Sequence, residues 1–454
     1  MNTATQSAIP AHAALGAHNW TLPLILCGAA LIGFAISGEF WYIAVPLALS
    51  PLLLLWPVEI ALGLFALLLP FERVSAVGAQ SSSSPGTTLN YYVGATAAVT
   101  LLITGLATGS LRSVPRAAYW WGSLIFWCIV TMLWAVDPVA SRGRIPTALA
   151  LLVLYVLSVS LQISERQFVW VSACTIFGGV VAAGLACLQF VHGVTVVGRA
   201  SLMMGDRATD PNIFAACVLL PLALAAGTFL RSRLLLYRIS SFVATTLMLA
   251  AVLLSMSRGA ILAVAAMMFV FLRRYHVGAR TIVALAALPV LAAFLPSLFF
   301  QRLQQGLSSH GQGRFDIWLV GLAAMREWGL QGAGIENFTI VYQKYAGVAP
   351  VFRGYNMEPH NIFLLIGVEL GVVGLFLFLN AVRIQLKSAA ALNSQTRDRA
   401  QIFAPAVACE AACWGMVIMS FSLGILWLKA FWFSFALLAI AVRIGREKLG
   451  EQTG

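Results

Sequence analysis

The chain has 454 residues, 60% of them hydrophobic and only 10% charged, with a net charge of +12. Its mean hydropathy is +0.89. A soluble domain is about 25% charged, so the composition excludes a soluble globular protein and marks a polytopic membrane protein. The positive balance suits anionic lipid head groups or phosphate-bearing ligands. Scattered through short loops, it excludes nucleic acid as a partner.

The first 18 residues (MNTATQSAIPAHAALGAH) lack a basic n-region and do not read as a cleavable signal peptide. Candidate transmembrane helices follow at 20–37, 38–55, 57–72, 91–109, 118–136, 146–163, 167–190, 211–230, 239–257, 259–273, 281–299, 361–382, 403–425 and 427–444. Several are shorter than the roughly 20 apolar residues a span requires, above all the first three and 259–273. Short segments of this kind can be re-entrant or fused. The expected fold is therefore an all-α polytopic membrane protein with about 12 to 14 transmembrane helices. The stretch SSSSPGTT (81–88) reads as a flexible polar turn. The seven cysteines (Cys27, Cys128, Cys174, Cys187, Cys217, Cys409, Cys413) lie in apolar runs without CxxC or Cys/His spacing. They read as small core- or lipid-facing residues. No internal repeat is visible, which weakens an inverted-repeat transporter reading.

Lysine and arginine in the short loops set the orientation. With the C-terminal Arg443, Arg446 and Lys448 in the cytoplasm, the loops holding Arg112/Arg116, Arg166, Arg231/Arg233/Arg238, Arg273/Arg274/Arg280 and Lys387/Arg397/Arg399 also fall inside. Both termini then face the cytoplasm, and 300–360 lies outside. Some arginines break the rule. Arg142 and Arg144 (DPVASRGRIP), Arg199 and Arg207 (VVGRASLMMGDRATDPN) and Arg258 (SMSRGA) sit at external helix ends. One such arginine snorkels or is solvated. Several on one side, with only Asp137, Asp206 and Asp210 nearby, call for an anionic ligand at the outer leaflet.

The long external segment carries helical apolar spacing at Phe315, Ile317, Trp318, Leu319, Leu322 and Met325. A glycine-rich turn, QGAGIENF, comes next, and ENFTIVYQKYAG can form a second short helix, so a small helical lid is expected. Directly after it stands NMEPHNIFLLIGVELGVVG (356–374). His360 precedes a helix, follows Pro359 and lies on the side of the surplus arginines. The chain turns sharply there because proline disfavours helix at Glu358. A histidine in such a place caps or packs, or serves as a general base near neutral pH. Asn361 can cap the helix or orient the ring. A base beside arginines suits attack by a hydroxyl on a carbon bearing a pyrophosphate leaving group. His360 would take the proton, and the arginines would stabilise the departing charge. No carboxylate cluster reads as a metal site, so neither a metal nor another cofactor is expected.

RATDPNIFAACVLLPLALA (207–225), SMSRGA (255–260), GRFDIWLVGL (313–322), GLQGAGIENF (329–338) and PHNIFLLIGVELGVVG (359–374) occur in the family order of the O-antigen ligase and O-antigen polymerase superfamily. The chain resembles that superfamily over roughly 200–380. The resemblance implies a GT-C-like bacterial inner-membrane glycosyltransferase with a periplasmic lid and active site. It also implies an undecaprenyl-pyrophosphate-linked glycan donor and no metal or nucleotide. Residue by residue, it implies that His360 is the catalytic histidine and that Arg207, Arg258 and Arg314 bind pyrophosphate. Arg142 and Arg144 join that set from topology alone. The short C-terminus, GEQTG, favours a ligase acting on lipid A-core over an oligosaccharyltransferase of the superfamily. A polymerase is the second reading, and a lipid-linked glycan transporter is a third, of another class. The transporter reading has poor support, since Glu369 and Glu410 are the only acids read deep in helices; Glu369 belongs to a matched motif and can hold its helix against the site. The expected division is a cytoplasmic tail (1–19), a transmembrane core (20–299), a periplasmic helical loop (300–360), C-terminal transmembrane helices (361–444) and a cytoplasmic tail (445–454).

Overall fold

The computed structural model describes residues 56–75, 88–205, 207–275, 313–395 and 404–453. The spans read at 20–37, 38–55 and 281–299 lie outside them, as do the 1–19 tail, Asp206 and the start of the external loop. Among the described residues the α-helices are α1 (Pro57–Leu68), α2 (Leu89–Thr108), α3 (Arg116–Val130), α4 (Pro138–Ser160), α5 (Glu165–Val191), α6 (Pro211–Arg231), α7 (Leu235–Leu254) and α8 (Arg258–Arg274). They continue with α9 (Arg314–Trp328), α10 (Phe338–Tyr345), α11 (Ile362–Glu369), α12 (Gly371–Gln395), α13 (Ala404–Met419) and α14 (Lys429–Thr453). The only sheet among these residues is a two-residue hairpin, β1 (Met203–Met204) with β2 (Arg207–Ala208). Among the described residues, seven helical stretches are long and apolar enough to cross a membrane: α2, α3 with its 3-10 extension to Trp134, α4, α5, α6, α7 and α12. The protein is an all-α polytopic membrane protein.

Helix α6 is the centre of the bundle. Its apolar window is 78% buried, against 17% for α2 at the rim. Lipid is as apolar as a leucine side chain, so packing and buried polar contacts hold such helices together. One knot of this kind surrounds Trp121 of α3, whose ring meets those of Tyr155, Phe378, Phe431, Trp432 and Phe435 at centroid distances of 4.8–6.4 Å. The Gln385 amide sits inside it. Its oxygen accepts from Trp121 Nε1 (3.3 Å) and from the Tyr155 hydroxyl (3.1 Å), and its nitrogen donates to the Phe435 carbonyl. A buried amide satisfied on both sides ties α3, α4, α12 and α14 in one register.

The helices alternate between two ends. At one end Arg443 Nη1 donates to the Val159 carbonyl (3.0 Å), and Lys448 pairs with Glu165 (2.6 Å). At the other, Ala200 N–H donates to the Leu254 carbonyl, Val136 N–H to Ala333, and Ile362 N–H to Ser420. This second end, with the lid helices α9 and α10, is called the site end below. All the described cations of the loops read as cytoplasmic fall at the opposite end.

Several boundaries differ from the sequence reading. Helix α4 begins at Pro138, not at 146. Asp137 caps it, its side chain accepting from Val139 N–H (2.8 Å) and Ala140 N–H (3.2 Å), and Pro138 fills the first turn. Arg142 and Arg144 are therefore helical, and Pro146 is carried inside the helix. The apolar run 361–382 is not one helix. It breaks at Leu370–Gly371 into α11 and α12, because Gly371 takes φ +67° and its Cα packs against the Leu330 carbonyl. A Cβ there would lie 2.5 Å from that oxygen, which leaves room for glycine alone. Helix α14 runs to Thr453, through the segment read as a tail. The short helices α9 and α10 fall where the sequence reading expects helices in the external segment.

Candidate active site

The glycine-rich turn after α9 is clamped from two sides. Ala333 N–H and Gly334 N–H donate to the carbonyls of Val368 and Glu369, and Val372 N–H donates to Gly329. From the other side, Trp134 Nε1 donates to the Gly332 carbonyl (3.0 Å). Asn337, fully buried, accepts from Asp137 N–H (2.6 Å) and donates to Ser141 Oγ (2.8 Å). Glu369 closes the arrangement, its Oε1 accepting from Phe338 N–H (3.1 Å). Together these bonds fasten the segment between α9 and α10 to α4 and α11.

His360 stands at the other end of α11. The Asn361 side chain caps that helix, accepting from Phe363 N–H (2.9 Å) and Leu364 N–H (3.1 Å). Trp318 Nε1 of α9 donates to the Pro359 carbonyl (3.0 Å). Between these anchors His360 is held at φ +45°, a left-handed conformation that costs a non-glycine residue about 1–2 kcal/mol. Met256 (φ +51°), beside Arg258, and Glu336 (φ +65°) carry the same strain at the same end. Strain of this kind persists where the surroundings over-determine it.

The His360 ring is half-buried, and its Nδ1 is buried with no hydrogen-bond partner among the described residues. Burial, and then the charge of Arg314, hold the imidazole below its ordinary range, while Glu358 and Asp210 pull weakly the other way. The ring is therefore neutral at neutral pH, the state a base needs. Arg314, the first residue of α9, is also half-buried, and its guanidinium is pushed down by burial and then by Arg258, against the pull of Asp210. It remains charged, as arginine does in proteins.

Arg258 opens α8 immediately after Ser257, whose hydroxyl accepts from Ala260 N–H. Asp210 caps α6 through Asn212 and Ile213. The turn after α13 joins these starts. Ser420 takes the Ile362 N–H, and Ser422 packs so closely on Gly259 that no side chain would fit there. The structure thus gathers His360, Arg314, Arg258 and Asp210 into one electrostatic group. Among the described residues no three of His, Cys, Asp and Glu converge as metal ligands.

The remaining candidates divide. Arg207 is half-buried on β2, three positions before Asp210 and at the same end. Arg142 is exposed on the first turns of α4. Arg144, read from topology as a phosphate ligand, is already taken: Glu336 accepts from its Nε at 2.6 Å and its Nη2 at 2.5 Å. Arg199 is likewise structural, bonded to the Ser255 carbonyl (2.7 Å) and Asn212 (2.8 Å). Sequence reasoning missed Glu336 as a partner, and it named Asp210 only as one of the few acids near the external arginines. The signal for Glu336 was its being the one charged residue in the turn GLQGAGIENF.

A polytopic helical membrane protein whose one end gathers a neutral histidine and clustered arginines is the class that fold and site define. The family model described as O-antigen ligase matches residues 243–379, a range that holds Arg258, Arg314, Glu336, His360 and Glu369. That segment is an O-antigen ligase-family domain, and the match supports the O-antigen ligase and polymerase superfamily. No curated protein matches the chain. The domain supports a ligase- or polymerase-type role in O-antigen processing, on lipid-linked glycans in a membrane.

Proposed function

We propose that the protein is an O-antigen ligase, transferring glycan from undecaprenyl pyrophosphate to the lipid A-core oligosaccharide at the periplasmic face of the bacterial inner membrane. The observation that carries this reading is the half-buried His360, depressed in basicity beside Arg314. The acceptor hydroxyl oxygen forms a bond to the anomeric carbon of the donor glycan, and its proton passes to His360. The bond from that carbon to the pyrophosphate oxygen breaks, and its electron pair leaves with undecaprenyl pyrophosphate. Arg314 and Arg258 hold the growing negative charge, with Arg207 and the exposed Arg142 at the same end as further donors. Two guanidiniums that raise each other's energy are relieved by an anion, so the pair stabilises charge where it develops. No metal is needed in this scheme.

Deletion of the gene, followed by the lipopolysaccharide profile, tests the reading. A ligase predicts loss of all long chains while donor lipid accumulates. A ladder stopping at a single repeat would assign a polymerase instead.

A further inference from the structure

The Arg144–Glu336 pair binds none of the groups that the proposed reaction uses, yet it is built with care. It is bidentate, at 2.5 and 2.6 Å. Glu336 holds it from a left-handed backbone. The next residue, Asn337, is bonded to Asp137 and Ser141 on the same first turns of α4 that carry Arg144. One position further, Phe338 N–H goes to Glu369. Glu369 ends α11, an eight-residue helix that starts just after His360. At that start the helix is fixed by Ser420 and the Asn361 cap. The route from α4 to the histidine is therefore short and alternates side-chain hydrogen bonds with short pieces of chain: Arg144 to Glu336, along the turn to Phe338, Phe338 N–H to Glu369, and along α11 to its cap and His360.

We infer that Arg144 and Glu336 are a pair of positioning residues, a brace that sets α11 and with it the place of His360. Arg144 is not a ligand of the pyrophosphate. The planar guanidinium suits the role, because a two-pronged pair fixes orientation as well as distance. A misplacement of about 1 Å at a reacting group costs up to about 10²-fold in rate. The kinetic arm of the test rests on the glycosyl-transfer reading; a second arm does not.

The test uses the full-length protein in proteoliposomes, with Arg144→Ala, Glu336→Ala, the double variant, and Glu336→Gln as a milder cut. Folding of each is checked by size exclusion and thermal shift. A brace predicts that each single change lowers kcat by about 10- to 100-fold with donor KM within about twofold, and that the double variant is no worse than the weaker single. The charge-swapped pair, Arg144→Glu with Glu336→Arg, should recover part of the loss. A phosphate ligand predicts the reverse: Arg144→Ala raises donor KM, and Glu336→Ala, which frees Arg144, does not lower kcat. That result overturns the inference. The independent arm is the rate at which diethyl pyrocarbonate modifies His360, read by mass spectrometry of its peptide. Cutting the brace should change that rate or its pH midpoint even where no transfer is measured; an unchanged His360 in all variants also overturns the inference. Absence of transfer in the unaltered protein, with His360 still responding, would instead count against the transfer reading alone.

Discussion

The two ends of the bundle both hold arginine, and they hold it differently. At the opposite end Arg274 makes a bidentate pair with Glu410 (2.6 and 3.0 Å), and Asn393 also donates to Glu410. Arg112 lies near Glu447, and Lys448 meets Glu165. Each of these cations has its own local carboxylate. At the site end Arg314 faces Arg258 and a half-buried imidazole, with Asp210 as the acid opposing them. Positive charge alone therefore carries little functional information in a basic membrane protein. Half-burial beside a like charge does not by itself separate the ends, since Arg443 at the opposite end is also half-buried, near Arg112, with its Nε and Nη2 unpartnered among the described residues. The site end differs in joining such charge to a half-buried histidine.

The largest expected break in this contrast is His360→Ala. Removing a general base typically costs about 10²–10⁴ in rate, and donor affinity should stay within about threefold, measured by single-turnover transfer and donor binding in proteoliposomes. Arg314→Ala and Arg258→Ala should each cost about 10²–10³ in kcat and also weaken donor binding, since an arginine clamp meets charge in both ground and transition states. Lysine at either position should rescue poorly, because a point charge lacks the planar fork. At the opposite end the outcome should invert. Arg274→Ala leaves Glu410 buried without its cation and should destabilise the fold by about 3 kcal/mol, read as a lower thermal midpoint, while turnover per folded molecule is unchanged.

The smallest effect is on pH dependence. His360 is depressed, so its active neutral form persists as pH falls, and is lost only below the ordinary imidazole value of about 6.5. The acidic limb of kcat/KM should therefore lie below that value. Arg314→Gln removes the nearest opposing cation and should move the limb upward, toward the ordinary value, in whatever residual activity remains.

How much of this was legible follows from what each signal reports. The run 211–230 marks α6 almost to the residue, because Asp210 and Pro211 make a local cap and start. The break at Gly371 was hidden inside an unbroken apolar run. Hydropathy reports burial and says nothing of direction, and the reason for the break, the Leu330 carbonyl, lies on another segment. The start of α4 was missed because its first turns, PVASRGRI, carry two arginines and interrupt the apolar run, whereas Asp137–Pro138 make the cap and start. Among the candidate site residues, His360 and Asn361 were picked from their place before a helix, Arg258 from its external helix end as well as the family resemblance, and Arg314 from the resemblance alone. Glu336 was not readable as the partner of Arg144, since the two are 192 positions apart and only the folded turn brings them together.

The central claim is that His360 and the Arg314–Arg258 pair form one site for a pyrophosphate leaving group. The most direct measurement is the titration of His360, followed by its diethyl pyrocarbonate reactivity against pH, with and without undecaprenyl pyrophosphate in the bilayer. If the pyrophosphate sits on Arg314, it offsets the charge that depresses the imidazole, and the midpoint should rise when the lipid is added. Arg314→Gln should start from a higher midpoint and respond less. A midpoint indifferent to the lipid, in protein shown to bind it, would contradict the account.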